Sequence, residues 1–365
     1  MQNISWWKTN FGKAEIKKLE ESVFSEHISQ GEVTEEFEKL ISQALDIPYV
    51  VVTTSGSVSL MMALISLDIG HGDEVIIPNR TWIATAHSVL ATGAKVVLAD
   101  VVPEIPLIDY QAIEEKITSR TKAIIPVHIN GRSANMNKIA NIAEKNNLYV
   151  IEDACQAFFS KNDNGFLGTQ SDIGCFSLGV TKLISTGQGG IIVTKNKNLY
   201  NKLTLIRNHG VNNNFSERWN QMGYNFKFTD LQASFGLVQL ERSTEKIRNV
   251  KLIYSKYLEK LKSFSFIKLI PVNITKGELP LYVEALSDER NHLTSFLTEF
   301  GIQTRPFTPN LHTAAYLNNI NGYFPNSLKL YEKGFYLPCG PDFLIDKIEY
   351  IIDKLNIYKN EYVNR

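Results

Sequence analysis

The chain has 365 residues, of which 44% are hydrophobic and 21% charged, an ordinary globular composition with room for about two domains at roughly 150 residues each. Lysine plus arginine and aspartate plus glutamate both number 38, and this balance argues against a strongly basic nucleic-acid binder or a chain held to anionic lipid by overall charge. Cys155, Cys175 and Cys339 form no C-x-x-C pair, the N-terminus does not read as a signal peptide and no run approaches a membrane span, so a cytoplasmic protein is expected.

From about residue 49 to 195, short apolar runs alternate with helical segments. YVVVTT (49–54) reads as a strand and SVSLMMALISL (57–67) as a helix; EVIIP (74–78) is a strand, followed by a helix near 82–92. KVVLAD (95–100) and KAIIPVH (122–128) are strands, with a helix near 110–118 between them and NMNKIANIAEKNN as a helix after them. LYVIED (148–153), DIGCFSL (172–178) and GIIVTK (190–195) are further strands. Near-continuous β-branched runs mark strands buried on both faces, and their alternation with helices predicts an α/β fold, a mainly parallel sheet flanked by helices. Beyond about 245 a long charged helix (243–263) leads through FIKLIP, LYVEAL, a helix in SDERNHLTSFLTEFG, IQTRP and a final amphipathic helix, LIDKIEYIIDKLNIYK. This reads as a smaller C-terminal α+β domain. The expected organisation is an N-terminal segment and helix over 1–29, a large domain over 30–245 and a small domain over 246–365.

Ligands of such sheets gather at the carboxyl ends of the strands. Asp153 ends the strand LYVIED, Gln156 follows it, and Lys182 lies in a loop past the strand CFSL. A strand-end acid and a loop lysine suit pyridoxal 5'-phosphate, which needs an amine for a Schiff base and an anion beside its pyridine nitrogen. A strand-end aspartate also serves as a cap, and a loop lysine as a surface charge. Thr54-Ser55-Gly56-Ser57 opens a helix whose exposed backbone N–H groups could hold a phosphate; the plain alternative is that Ser57 caps the helix and no ligand is involved.

The order of these motifs resembles the DegT/DnrJ/EryC1/StrS aminotransferases, the sugar-aminotransferase branch of the fold type I pyridoxal phosphate enzymes. The resemblance runs through ISQGEVTEEFEKL (28–40), TTSGSVSLMMAL (53–64), GDEVIIPNRTWIATAHSVLATGAKVVLADV (72–101), TSRTKAIIPVHINGR (118–132), VIEDACQA (150–157), DIGCFSLGVTKLISTGQGGIIVT (172–194), RNHG (207–210), GYNFKFTDLQASFGLVQLE (223–241) and LPCGP (337–341). It implies a seven-stranded-type sheet in the large domain. It also implies that Lys182 forms the Schiff base with the cofactor, that Asp153 partners the pyridine nitrogen and that Gln156 contacts the cofactor near its ring hydroxyl. Gly56 and Ser57 would bind the phosphate through backbone amides and Ser177 through its hydroxyl, Trp82 would stack on the ring, and Asn225 would reach the phosphate in a neighbouring subunit. The implied unit is a homodimer with shared active sites.

The implied activity is transfer of an amino group from an amino acid, by family habit L-glutamate, through pyridoxamine 5'-phosphate as the intermediate cofactor form. The acceptor would be a nucleotide-linked keto-deoxy sugar for surface polysaccharide or related glycans. A small phosphorylated ketone is the alternative acceptor, and a pyridoxal phosphate-dependent sugar dehydratase the alternative reaction; the family's dehydratases carry histidine where Lys182 stands here. A non-catalytic relative would be expected to have lost the lysine or the acid. The family often has Ser-Gly-Thr at Ser55-Gly56-Ser57, which keeps the hydroxyl, and Gly-Glu-Gly-Gly at Gly187-Gln188-Gly189-Gly190, where the change could alter substrate contacts.

His128 at a strand end could face the cofactor or serve as a structural hydrogen-bonding residue, and Arg305 and His312 stand where some relatives approach substrate. Trp6 and Trp7 read as a packing or dimer-edge feature and Cys155 as a small core residue. The seven histidines contain no H-x-x-x-H or H-E-x-x-H, so no metal site is expected.

Overall fold

The structure, a computed structural model, describes residues 3–211, 219, 221–317 and 322–363. Seven of its strands form one sheet: β1 (Tyr49–Thr53), β2 (Glu74–Pro78), β3 (Lys95–Ala99), β4 (Thr121–Ile124), β5 (Tyr149–Asp153), β6 (Ile173–Ser177) and β7 (Gly190–Thr194), in the order β1-β7-β6-β5-β4-β2-β3. Only β7 runs against its neighbours β6 and β1; the other pairings are parallel. The strand alternation explains why the runs are apolar throughout. Val51, Ile77, Leu98, Ile151 and Ile192 meet α3 (Gly56–Ser66), α4 (Ala84–Ala91) and α7 (Lys197–Arg207) on one face. On the other face Val50, Val52, Phe176 and Ile191 meet α2 (Glu32–Leu45) and α8 (Asp230–Glu241), while Ile76, Ile124 and Val150 meet α5 (Tyr110–Glu114) and α6 (Met136–Asn146). With both faces covered, a strand has no polar side.

Helix ends follow local chemistry. Ser55 caps α3, its side chain accepting from the Val58 N–H at 3.2 Å; the cap is therefore Ser55 and not Ser57, which lies in the first turn. Asp46 and Asn147 close α2 and α6 in the left-handed conformation, at φ 51° and 53°, which their short polar side chains tolerate. The strand expected over 122–128 stops at Ile124, because Pro126 has no N–H to give the ladder; pairing resumes as a single bridge between Val127 and Asp153. α2, α7, α8 and α11 (Pro325–Lys333) add to the helices read from the sequence. α8 escapes notice because it is buried on several sides and carries no single apolar stripe.

The second sheet is antiparallel: β8 (Lys268–Leu269), β9 (Val283–Leu286), β10 (Arg305–Pro306) and β11 (Gly334–Leu337), in the order β8-β9-β11-β10. α9 (Ser243–Leu261), α10 (Arg290–Glu299) and α12 (Asp346–Tyr358) pack their apolar stripes on it through Tyr254, Tyr257, Phe296, Ile351 and Leu355. The N-terminal segment joins this core: Ile4 bridges Ile302 and Trp7 bridges Cys339. α1 (Lys13–Phe24) instead meets α8, with the Ser22 and Ser234 hydroxyls 2.6 Å apart. Among the described residues no helix is long and apolar enough to cross a membrane.

Candidate active site

The last two residues of β5 point to opposite faces, as strand geometry requires, and the two carboxylates meet different surroundings. Glu152 is completely buried and takes hydrogen bonds from His128 Nε2 at 2.8 Å, the N–H groups of Gly168 and Gln170 at 2.7 Å and the Ser171 hydroxyl at 2.9 Å. Burial alone would raise its pKa. The hydrogen bonds from His128, Gly168 and Gln170 outweigh burial and hold it below the ordinary glutamate value. His128 Nδ1 accepts from the Ala134 N–H at 3.2 Å, so Nε2 carries the hydrogen given to Glu152. Of the two readings of His128, the structural one holds.

Asp153 faces a cavity of about 430 Å3. It is 5% exposed, and its Oδ2 accepts from the Thr85 hydroxyl at 2.8 Å and its Oδ1 from the Cys155 N–H at 3.1 Å. Its backbone is clamped as well: the N–H donates to the Pro126 carbonyl at 2.9 Å and the carbonyl accepts from the His128 N–H at 3.0 Å. The carboxylate therefore has a fixed position at the carboxyl edge of the sheet.

Lys182 lines the same cavity, in the loop between β6 and β7, where its N–H donates to the Gly179 carbonyl at 3.0 Å. Ser55, Gly56 and Ser57, at the start of α3, and Ser177, at the end of β6, form another part of the lining. Gly56 is required here. A Cβ on it would come within 2.9 Å of both Cys155 Sγ and Ser177 Cβ, so only glycine lets the helix N-terminus approach β6 this closely. Gln156 lines the cavity with its Oε1 accepting from the Asn130 N–H at 2.9 Å, and Trp82 stands at the mouth, 58% exposed. Burial, reinforced by the charge of Asp153, pushes the Cys155 thiol well above its usual range, so it stays a neutral wall residue and no nucleophile. Asn225 forms an isolated bridge with Asn208 and does not line the cavity of its own chain.

The facing wall comes from the small sheet and the N-terminal segment. Glu284, Tyr336 and Arg305 stand side by side across β9, β11 and β10, and all three line the cavity. Trp6 lines it too, stacked on Tyr282 at 6.1 Å between ring centroids, with the Arg305 guanidinium 4.4 Å above its ring. Packing describes Trp7, whose indole N–H donates to the Val180 carbonyl at 3.2 Å, but covers only part of what Trp6 does. His312 instead turns to Asn79, with Nδ1 3.1 Å from Oδ1, and is not a wall residue. Trp6, Arg80, Tyr282 and Glu284 escape sequence reading, since each is remote in sequence from the Asp153–Lys182 stretch or sits in an otherwise ordinary turn.

One cavity thus combines a primary amine, an anchored carboxylate and a helix N-terminus flanked by serine hydroxyls. This donor set suits a ligand with an electrophilic carbon, a cationic ring nitrogen and an oxyanion tail. The 30% identical GDP-perosamine synthase of Escherichia coli O157:H7 covers 91% of this chain and 92% of its own. The 3-oxo-glucose-6-phosphate:glutamate aminotransferase of Bacillus subtilis is 29% identical over 95% of this chain and 80% of its own. The crystal structure of S. venezuelae DesV in complex with a ketimine intermediate superposes with a TM-score of 0.90, 27% identity and 94% coverage of both chains. The profile of one family matches residues 9–356, and the chain belongs to that family, the DegT/DnrJ/EryC1/StrS aminotransferase family.

Proposed function

We propose that this protein is a pyridoxal 5'-phosphate-dependent aminotransferase that moves the amino group of an amino acid, L-glutamate, onto a nucleotide-linked keto-deoxy sugar used in surface-polysaccharide or related glycan assembly. The observation that carries the reading is the presence of Lys182, the anchored Asp153 carboxylate and the Gly56–Ser57 helix start in one cavity. The cofactor, when bound, supplies an aldehyde that condenses with primary amines and a ring that takes up the electrons of a deprotonated carbon.

The chain supplies the rest. The Gly56 and Ser57 amides and the Ser177 hydroxyl hold the phosphate, and Trp82 covers one face of the ring. Asp153, fixed by Thr85 and the Cys155 N–H, keeps a proton on the ring nitrogen, since the buried anion favours the cationic form. Gln156 contacts the ring near its hydroxyl, oriented by the Asn130 N–H. Lys182 holds the cofactor at rest. Once released, its Nζ would take the proton from the donor's α carbon and return it two atoms along, a 1,3-shift. Asn225 serves the phosphate of a second subunit, so the working unit is a homodimer.

A small phosphorylated ketone is the second acceptor class, favoured by the likeness to the 3-oxo-glucose-6-phosphate:glutamate aminotransferase. Sugar dehydration is disfavoured by the lysine at 182. The test is the visible absorbance of the purified protein. A cofactor band is expected that L-glutamate bleaches and a keto substrate restores, and Lys182→Ala is expected to lose the band and about 100- to 10,000-fold in turnover. Screening nucleotide keto-sugars against keto-phosphates for return of the band separates the two acceptors. A colourless but active wild type defeats the reading.

A further inference from the structure

Three arginines are buried among the described residues: Arg80, Arg132 and Arg207. Two of them face a carboxylate. Arg132 pairs with Glu284 and donates to the carbonyls of Pro271 and Ile270 at 2.7 and 3.1 Å. Arg207 pairs with Glu38 at 2.6 Å and donates to the Val52 carbonyl at 3.0 Å. Arg80, 5% exposed, has a single hydrogen bond among the described residues, from Nη1 to the Thr308 carbonyl, and its guanidinium lies 4.6 Å from the centroid of Phe307. The acid on the same wall, Glu284, acts on Arg80 only from beyond ion-pair distance and is itself paired with Arg132. Buried charges are normally paired, so an arginine that lines a cavity with no ion pair among the described residues lacks a partner that a ligand would bring.

Its place in the sheet says which part of the ligand. Read along the carboxyl edge, the cavity runs from Gly56 and Ser57 after β1, through Ser177 at the end of β6 and Asp153 at the end of β5, to Arg80 beyond β2. Arg80 is therefore separated from the helix-start donors by the Asp153 carboxylate, and it borders the small-sheet wall. Phe307 supports the guanidinium plane, Thr308 engages one nitrogen, and the open donors suit a planar or tetrahedral oxyanion.

We propose that Arg80 is a specificity-determining residue that binds an oxyanion of the substrate, a carboxylate or a phosphate, at the end of the cavity beyond Asp153. The inference rests on the aminotransferase reading above. Its test separates the two by following the cofactor band and anion binding independently.

Glutarate, as a carboxylate probe, and glucose 6-phosphate, as a phosphate probe, are titrated calorimetrically into the cofactor-loaded wild type, Arg80→Gln and Arg80→Lys. At least one probe should bind the wild type. Arg80→Gln should weaken it about 10- to 100-fold, the effect of losing a charge-assisted fork, and Arg80→Lys should recover part of the loss. Weakening confined to glutarate assigns the site to the carboxylate of the amino donor, and weakening confined to glucose 6-phosphate assigns it to the phosphate of the acceptor. Should Arg80→Gln fail to fold, a several-fold weakening in Arg80→Lys carries the same conclusion. Failure of both probes to bind the wild type, or equal affinities in the wild type and the folded variants, overturns the proposal even with the cofactor band intact. Absence of the band from the wild type defeats the aminotransferase reading instead, while a loss of probe binding in the variants would still support the anion site.

Discussion

The wall that carries Gly56, Asp153 and Ser177 is made of strand ends and the turns just beyond them, so its side chains are aimed by backbone hydrogen bonds. The facing wall takes Trp6 from an N-terminal bridge, Glu284, Arg305 and Tyr336 from three strands of the small sheet, and Tyr282 from the residue before one of them. There, position comes from side-chain packing: indole on phenol, guanidinium on indole, carboxylate on arginine. The difference suits two tasks. A cofactor that never changes is best held by rigid backbone edges, whereas a wall assembled from long side chains can be remade for another substrate without disturbing the sheet.

Mutations can break this comparison. The largest effect is expected at Asp153→Asn, which keeps the shape and the Thr85 contact but removes the charge. Turnover should fall about 100- to 1,000-fold in stopped-flow half-reactions, with the melting temperature little changed; an active Asn variant would show that the wall works without its anion. An intermediate effect is expected one residue earlier. Glu152→Gln leaves the cavity untouched but sets an amide NH2 against one of the Gly168 and Gln170 N–H groups, which donate to different carboxylate oxygens, costing about 1–3 kcal/mol of stability in denaturant melts while the cofactor band remains.

The same residue sets a pH signature. Because the folded-state pKa of Glu152 lies below the usual value of 4.5, its contribution is present above that pH and is lost as pH falls through the folded value. Wild-type melts should therefore lose stability below about pH 4.5 more steeply than Glu152→Gln melts. The smallest effect is expected at Trp6→Leu, which removes the ring beneath Arg305. The KM for the acceptor should rise about two- to fivefold with the donor half-reaction unchanged; an equal loss in both half-reactions would show that the small-sheet wall is not reserved for substrate.

The sheet was legible because its signals are local: each β-branched run, each intervening helix and each turn is coded by the residues within it or beside it. Element ends shifted for equally local reasons, by four residues where Pro126 interrupts the strand ladder and by one at the start of α3, which Ser55 caps. The roles of His128 and His312 were not legible. A histidine's partners, Glu152 and the Ala134 N–H for one and Asn79 for the other, depend on chain segments meeting in space.

The sequence by itself determined the mainly parallel sheet, the strand-end aspartate, the loop lysine and the glycine-opened helix, since alternation, hydrophobic period and turn chemistry act over a few residues. Tertiary structure alone decided that Trp6 meets Tyr282, that Glu284 belongs to Arg132, and that Arg80 faces the cavity with no ion pair among the described residues. These placements involve residues distant in the chain, brought together only by the docking of the N-terminal segment on the small sheet and of that sheet against the large one's carboxyl edge.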